Sequence, residues 1–142
     1  MIAIKEMLEK YRPGFASVCP FPLDRDHAFQ LDLSVGNREL YDFDITSTEQ
    51  LAAYIDRKLR ENGKETAVGG YGEDRLIYRK SEHFGSGPDA RTIHLGVDVW
   101  SEAYTPLSAP LDARVHSFQV NDNFGDYGPT IILEHQLDGI TF

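Results

Sequence analysis

Near the start of the chain Ile4, Met7, Leu8 and Tyr11 recur at helical spacing, and Arg12-Pro13-Gly14 ends the run. This predicts a first short helix over about residues 2–12. From Phe29 the period changes. Phe29, Leu31 and Leu33 alternate, "VGNREL" offers a turn, and Leu40, Phe43 and Ile45 follow, a pattern that predicts a β-hairpin. Thr46 and Glu49 then stand at capping-box spacing, with the hydroxyl and the carboxylate each able to serve a free backbone N–H. Leu51, Ile55 and Leu59 recur every fourth position with Tyr54 between them, Arg57, Lys58 and Arg60 fall where the helix dipole favours cations, and Gly63 offers a left-handed cap. A second helix is predicted over 47–61, and no comparable stripe follows it.

After Lys64 the chain turns Gly-rich and polar, which places a module boundary near residues 65–70. The remainder reads as short strands at Leu76–Tyr78, Thr92–Val99, Arg114–Val120 and Thr130–His135, separated by "SGPD", "TPLSAPLD", "NDNFGDYGP" and "LDG". The expected fold class is α+β: a small helix/hairpin module over 1–65, then an antiparallel β-rich domain over 66–142. Asp138-Gly139 between two β-prone runs is a strong hairpin signal. Only Ile140, Thr141 and Phe142 follow it, against a usual strand of about six residues. The sequence therefore predicts a sheet left incomplete by these 142 residues, to be finished by a C-terminal continuation or by another copy in a homo-oligomer.

Composition narrows the function classes. Fourteen basic and twenty-three acidic side chains give a formal charge of -9 with no long run of either sign, so nothing resembles a footprint for phosphate backbones, and no nucleic-acid partner is expected. The apolar stretches are only a few residues long and the first residues carry charges throughout. Neither a membrane span nor a secretory signal is read, and a cytoplasmic location is expected. Cys19, the lone cysteine, has no neighbouring Cys or basic group and reads as structural.

The candidate chemistry lies in "RTIHLGVDVW", residues 91–100. His94 and Asp98 are both metal-ligating types, four positions apart. In a regular strand their Cα atoms would lie roughly 13 Å apart at about 3.3 Å per residue, too far for one zinc with ligand bonds of about 2.0–2.2 Å. If they share a metal, the backbone bends between them, and Gly96 is where a bend or bulge costs least. Ile93, Leu95, Val97 and Val99 are expected to face the core, with His94 and Asp98 together on the opposite face. A half-buried strand with its polar residues outward explains the same alternation.

"RTIHLGVDVWSEAYTPLSAPLDARVHSFQ" followed by "GDYGPTIILEH" resembles the first part of the lysostaphin-type zinc metallopeptidases, over about residues 70–142. The family's His-x-x-x-Asp motif supplies two zinc ligands, and by position these are His94 and Asp98. The resemblance also sets Arg75 and Tyr71 of "GYGEDR" where the family has a Gly-Tyr-Arg-like stretch lining the substrate cleft, although read alone Arg75 is a solvated loop arginine. The implied function is peptide-bond hydrolysis by metal-activated water. The departures are as informative. The family's His-x-His motif, which supplies the third zinc ligand and a catalytic histidine, has no counterpart here, and no catalytic residue is assigned. His83 lies in a Gly-rich loop upstream of the motif, from which it could reach a metal, although it reads first as an ordinary loop histidine, while His116, His135 and His27 read as surface or structural. The expectation is an incomplete, weak zinc site and a chain inactive by itself, whose partner is a peptide substrate or ligand. The alternative is a non-catalytic peptide- or partner-binding module derived from that fold. A lipoyl- or biotin-carrier-like barrel, suggested by "APLDARVHSF", needs a lysine at a hairpin tip, and none occurs after Lys80.

Overall fold

A computed structural model describes residues 4–80, 92–123 and 126–142. Among these the fold is mixed α and β. Helices α1 (Ile4–Tyr11), α2 (Thr48–Asn62) and α3 (Leu76–Lys80) accompany strands β1 (Phe29–Leu31), β2 (Ala67–Gly69), β3 (Glu73–Asp74), β4 (Ile93–His94), β5 (Asp98–Trp100), β6 (Ala113–Asn121), β7 (Gly128–Leu137) and β8 (Ile140–Thr141). The expected α+β class stands, and both predicted helices form. No helix among the described residues is long and apolar enough to cross a membrane.

The chain divides into two compact units, Pro22–Thr105 and Met1–Phe21 with Pro106–Phe142. The compositional boundary near 65–70 falls inside the first of these, where β1 pairs in parallel with β2, and β2 pairs antiparallel with β5. The core of Pro22–Thr105 gathers Leu31, Leu33, Leu40, Ile45, Tyr54, Ile55, Ala67 and Leu76. Leu40 is completely buried and Ile45 nearly so, each such side chain contributing about 1.5–3 kcal/mol over its exposed state. Helix α2 lays Tyr54 and Ile55 into this core.

Two expectations need correction here. The hairpin over Phe29–Ile45 does not form: β1 is followed by a 3-10 helix over Arg38–Tyr41, and β1 takes its partner from β2 instead. Asn37, read as a turn residue, is the helix's N-cap and accepts a hydrogen bond from the Glu39 N–H. Leu40 and Ile45 enter the core as single anchors, because their spacing with Phe43 never kept a strict alternation. The strand expected at Leu76–Tyr78 is α3. Three residues are too few to separate the two periods, and the Leu76 N–H bonds to the Leu33 carbonyl as the chain leaves β3.

In the other unit β6 and β7 form a long antiparallel pair, with an irregularity between Val115 and Ser117, and β7 turns into β8 through Asp138 (φ 48°) and Gly139 (φ 76°). Both central residues adopt the positive φ that the Asp-Gly signal predicted. Cys19 is buried. Asp138 also reaches α1, accepting from Lys10 Nζ at 2.8 Å and from the Tyr11 hydroxyl. Much of the hairpin's apolar surface is open, with the facing pair Phe118 and Ile131 79% and 67% exposed.

Candidate metal centre

The strand expected over Thr92–Val99 is interrupted where the ligand argument required it. Gly69 pairs with Asp98, and Glu73 pairs with His94 four residues further along each strand, so one antiparallel register runs through both pairs. Between them the ladder opens: Gly70, Tyr71 and Gly72 lie on one side, Leu95, Gly96 and Val97 on the other, outside the named strands. Gly72 takes φ +73° and its N–H bonds to the His94 carbonyl at 2.8 Å, which restarts the pairing.

This opening folds His94 back toward Asp98, and the imidazole Nε2 stands 3.5 Å from Asp98 Oδ1. Gly96 permits the fold in a way its sequence context did not reveal. A Cβ there would sit 2.9 Å from His94 Nε2 and 3.2 Å from Cε1, so the ring occupies the space that any other side chain would need. The glycine serves by absence of bulk, not by unusual φ. His94 Nδ1 faces the Gly70 carbonyl at 3.5 Å. That oxygen can only accept, so an Nδ1–H directed at it would orient the ring with Nε2 on the Asp98 side. The Tyr78 ring stands edge-on to the imidazole, with centroids 6.2 Å apart.

Arg75 departs from the solvated loop residue expected. Its side chain is 7% exposed, its Nε donates to Glu73 Oε2 at 2.9 Å, and its Nη1 is paired with Asp98 Oδ2. Glu73 is held in turn, since its Oε1 accepts the Leu33 N–H at 3.0 Å. Among the described residues Arg75 Nη2 is buried without a hydrogen-bond partner. Glu73 was missed in the sequence. Its signal was the alternation Glu73-x-Arg75, which puts both side chains on one side of a strand. Tyr71, expected beside Arg75 in the cleft, lies in the opening with 71% of its surface exposed.

The apolar residues around the motif are placed opposite to expectation. Ile93, Leu95, Val97 and Val99 are 46%, 71%, 59% and 36% exposed, whereas the His94 side chain is 13% exposed. The strand's inner side is taken by Asp98 and Trp100 facing Gly69 and Ala67, so the period was read correctly and its two sides were exchanged.

Two ligands on a tetrahedral zinc, with bonds of about 2.0–2.2 Å, lie roughly 3.4 Å apart. The His94–Asp98 separation of 3.5 Å matches that edge, so the two fit zinc as a pair. Glu73, Asp98 and Arg75 together carry one net negative charge, which suits a cation. Among the described residues no group of three or more His, Cys, Asp or Glu is placed to hold a metal. His27 pairs with Asp24 at 2.7 Å, His135 Nδ1 faces the Asp112 carbonyl, and His116 is exposed beside Ser117. His83 lies outside the described residues. No family model, curated protein or solved structure matches the chain.

Proposed function

We propose that this chain carries two ligands of a zinc metallopeptidase-type centre, His94 through Nε2 and Asp98 through Oδ1, and that the 142 residues alone bind zinc weakly and hydrolyse no peptide. The observation that supports this reading is the 3.5 Å approach of the two ligand atoms across an opened strand ladder, an arrangement that a plain half-buried strand does not need. The chemistry zinc supplies when bound is polarisation of a peptide carbonyl and acidification of water. This chain's own residues do the holding: Gly96 makes room for the imidazole, the Gly70 carbonyl orients it, and Arg75 secures the carboxylate.

Calorimetric titration of zinc into the chain and into its His94→Ala variant tests the proposal. Weak binding that disappears in the variant is expected. Binding indifferent to His94 would overturn it. Tight binding that depends on His94 would instead reveal a third ligand and overturn the weak-site statement. A second reading, a non-catalytic peptide- or partner-binding module, is favoured by the open apolar side chains of Leu95 and Val97 between the two ligands. A peptide that binds equally well with and without zinc would support it over the peptidase.

A further inference from the structure

We infer that Arg75 is the positioning residue of this centre: by occupying Asp98 Oδ2 it presents Oδ1 alone toward His94, making Asp98 a one-oxygen ligand. The inference rests on the zinc reading above and adds to it how the carboxylate is aimed.

Asp98 is the less enclosed of the two ligands, 37% exposed against 13% for His94, and an aspartate so open turns freely unless something holds it. Arg75 does so through a relay that ends on the backbone. Nη1 pairs with Asp98 Oδ2, Nε donates to Glu73 Oε2, and Glu73 Oε1 accepts the Leu33 N–H. A planar guanidinium can bridge two carboxylates in fixed directions, which an ammonium cannot. Gly69, directly across from Asp98 in the ladder, completes the cradle. A Cβ at that position would lie 2.9 Å from Arg75 Nη2 and 2.9 Å from the Trp100 ring, so the guanidinium uses the room that glycine leaves.

Among the described residues Arg75 Nη2 is buried without a hydrogen-bond partner, and such groups are rare enough to ask for a reason. The fork is oriented to serve Glu73 and Asp98 at the expense of its third nitrogen. With Oδ2 already engaged, Asp98 has one oxygen left to give. That suits a small tetrahedral cation taking one atom from each ligand. It disfavours calcium, which draws on six to eight oxygens and often on both oxygens of one carboxylate.

The test uses the whole 142-residue chain as wild type, Arg75→Lys, Gly69→Ala and His94→Ala. Zinc is titrated to millimolar concentration while the His94 ring resonances are followed by NMR, and cobalt(II) is added separately for its visible absorption, which reports coordination geometry. Arg75→Lys keeps the buried positive charge, so a change in affinity cannot be assigned to charge alone, and Gly69→Ala crowds the guanidinium with no change of charge. The expected result is a saturable His94 response in wild type, a midpoint shifted at least about tenfold to higher zinc in Arg75→Lys, a shift in the same direction in Gly69→Ala, and an altered cobalt spectrum in both. Thermal melting identifies which variants are folded. If Arg75→Lys unfolds, Gly69→Ala alone decides. A folded variant that binds zinc as tightly as wild type, with an unchanged cobalt spectrum, overturns the positioning role while leaving the zinc reading intact. A wild-type His94 ring that zinc does not move overturns the zinc reading, and the positioning role with it.

Discussion

Arg75 and Glu73 form an ion pair with side chains only 7% and 11% exposed, and a buried pair is destabilised most when one member is taken away. Arg75→Ala leaves Glu73 uncompensated and frees Asp98, so the expected loss of stability is about 3–5 kcal/mol, measurable by urea unfolding. A loss within about 0.5 kcal/mol, typical of a surface substitution, would contradict the burial described. The two residues differ from His94 and Asp98 in how far sequence could reveal them. His94 and Asp98 stood out by residue type and spacing, and a metal shared between them would need the kind of bend that the opened ladder has. Arg75 was not legible, because a Gly-rich context reads as solvent-exposed and burial of a charge depends on partners brought from Leu33, Glu73 and Asp98. Gly96 and Gly69 were visible as glycines, yet the reason for each is a neighbouring side chain that only the fold supplies.

Helix α2 is bounded by chemistry that acts locally. Ser47 takes an extended conformation and its hydroxyl accepts the Gln50 N–H, while Gly63 at φ 61° closes the other end and donates to the Arg60 and Leu59 carbonyls. Ser47→Ala should cost about 1 kcal/mol, read as a lowered melting temperature, whereas Thr46→Ala should not act through a helix cap. Thr46 instead donates to Asp44 Oδ1. The capping signal was thus found one residue early, since Thr46 and Ser47 offer the same hydroxyl and only backbone geometry chooses between them. The hairpin expected over Phe29–Ile45 failed for a longer-range reason. Strand β1 is three residues long, and its alternation identified the conformation without identifying the partner, which lies in β2 beyond an entire helix.

For the whole molecule, burial is unevenly distributed: the core cluster lies within Pro22–Thr105, while the β6–β7 pair keeps large apolar side chains open. The α+β class was legible because both predicted helices and the β7–β8 turn follow local rules; the division into units was not, because one unit joins segments from opposite parts of the sequence. That junction carries a pH dependence. Asp138 is held below the usual carboxylate range by hydrogen bonds from Lys10 and Tyr11, and Lys10 is raised by Asp138. A depressed carboxylate contributes stability above its unfolded pKa of about 3.9 and loses it as pH falls through the folded value, so the tie holds at neutral pH and loosens in acid. Amide exchange in α1 should accelerate below about pH 4 beyond its intrinsic pH trend, and Asp138→Asn should remove that extra step; an unchanged profile in the variant would rule the tie out. The same contact also orders events in time. Lys10 and Asp138 are separated by 128 positions, and at about 5–20 residues per second a ribosome needs roughly 6–26 s to travel between them. Throughout that interval α1 is already made and its acidic partner does not yet exist, so α1 must wait for this tie until Asp138 has been added.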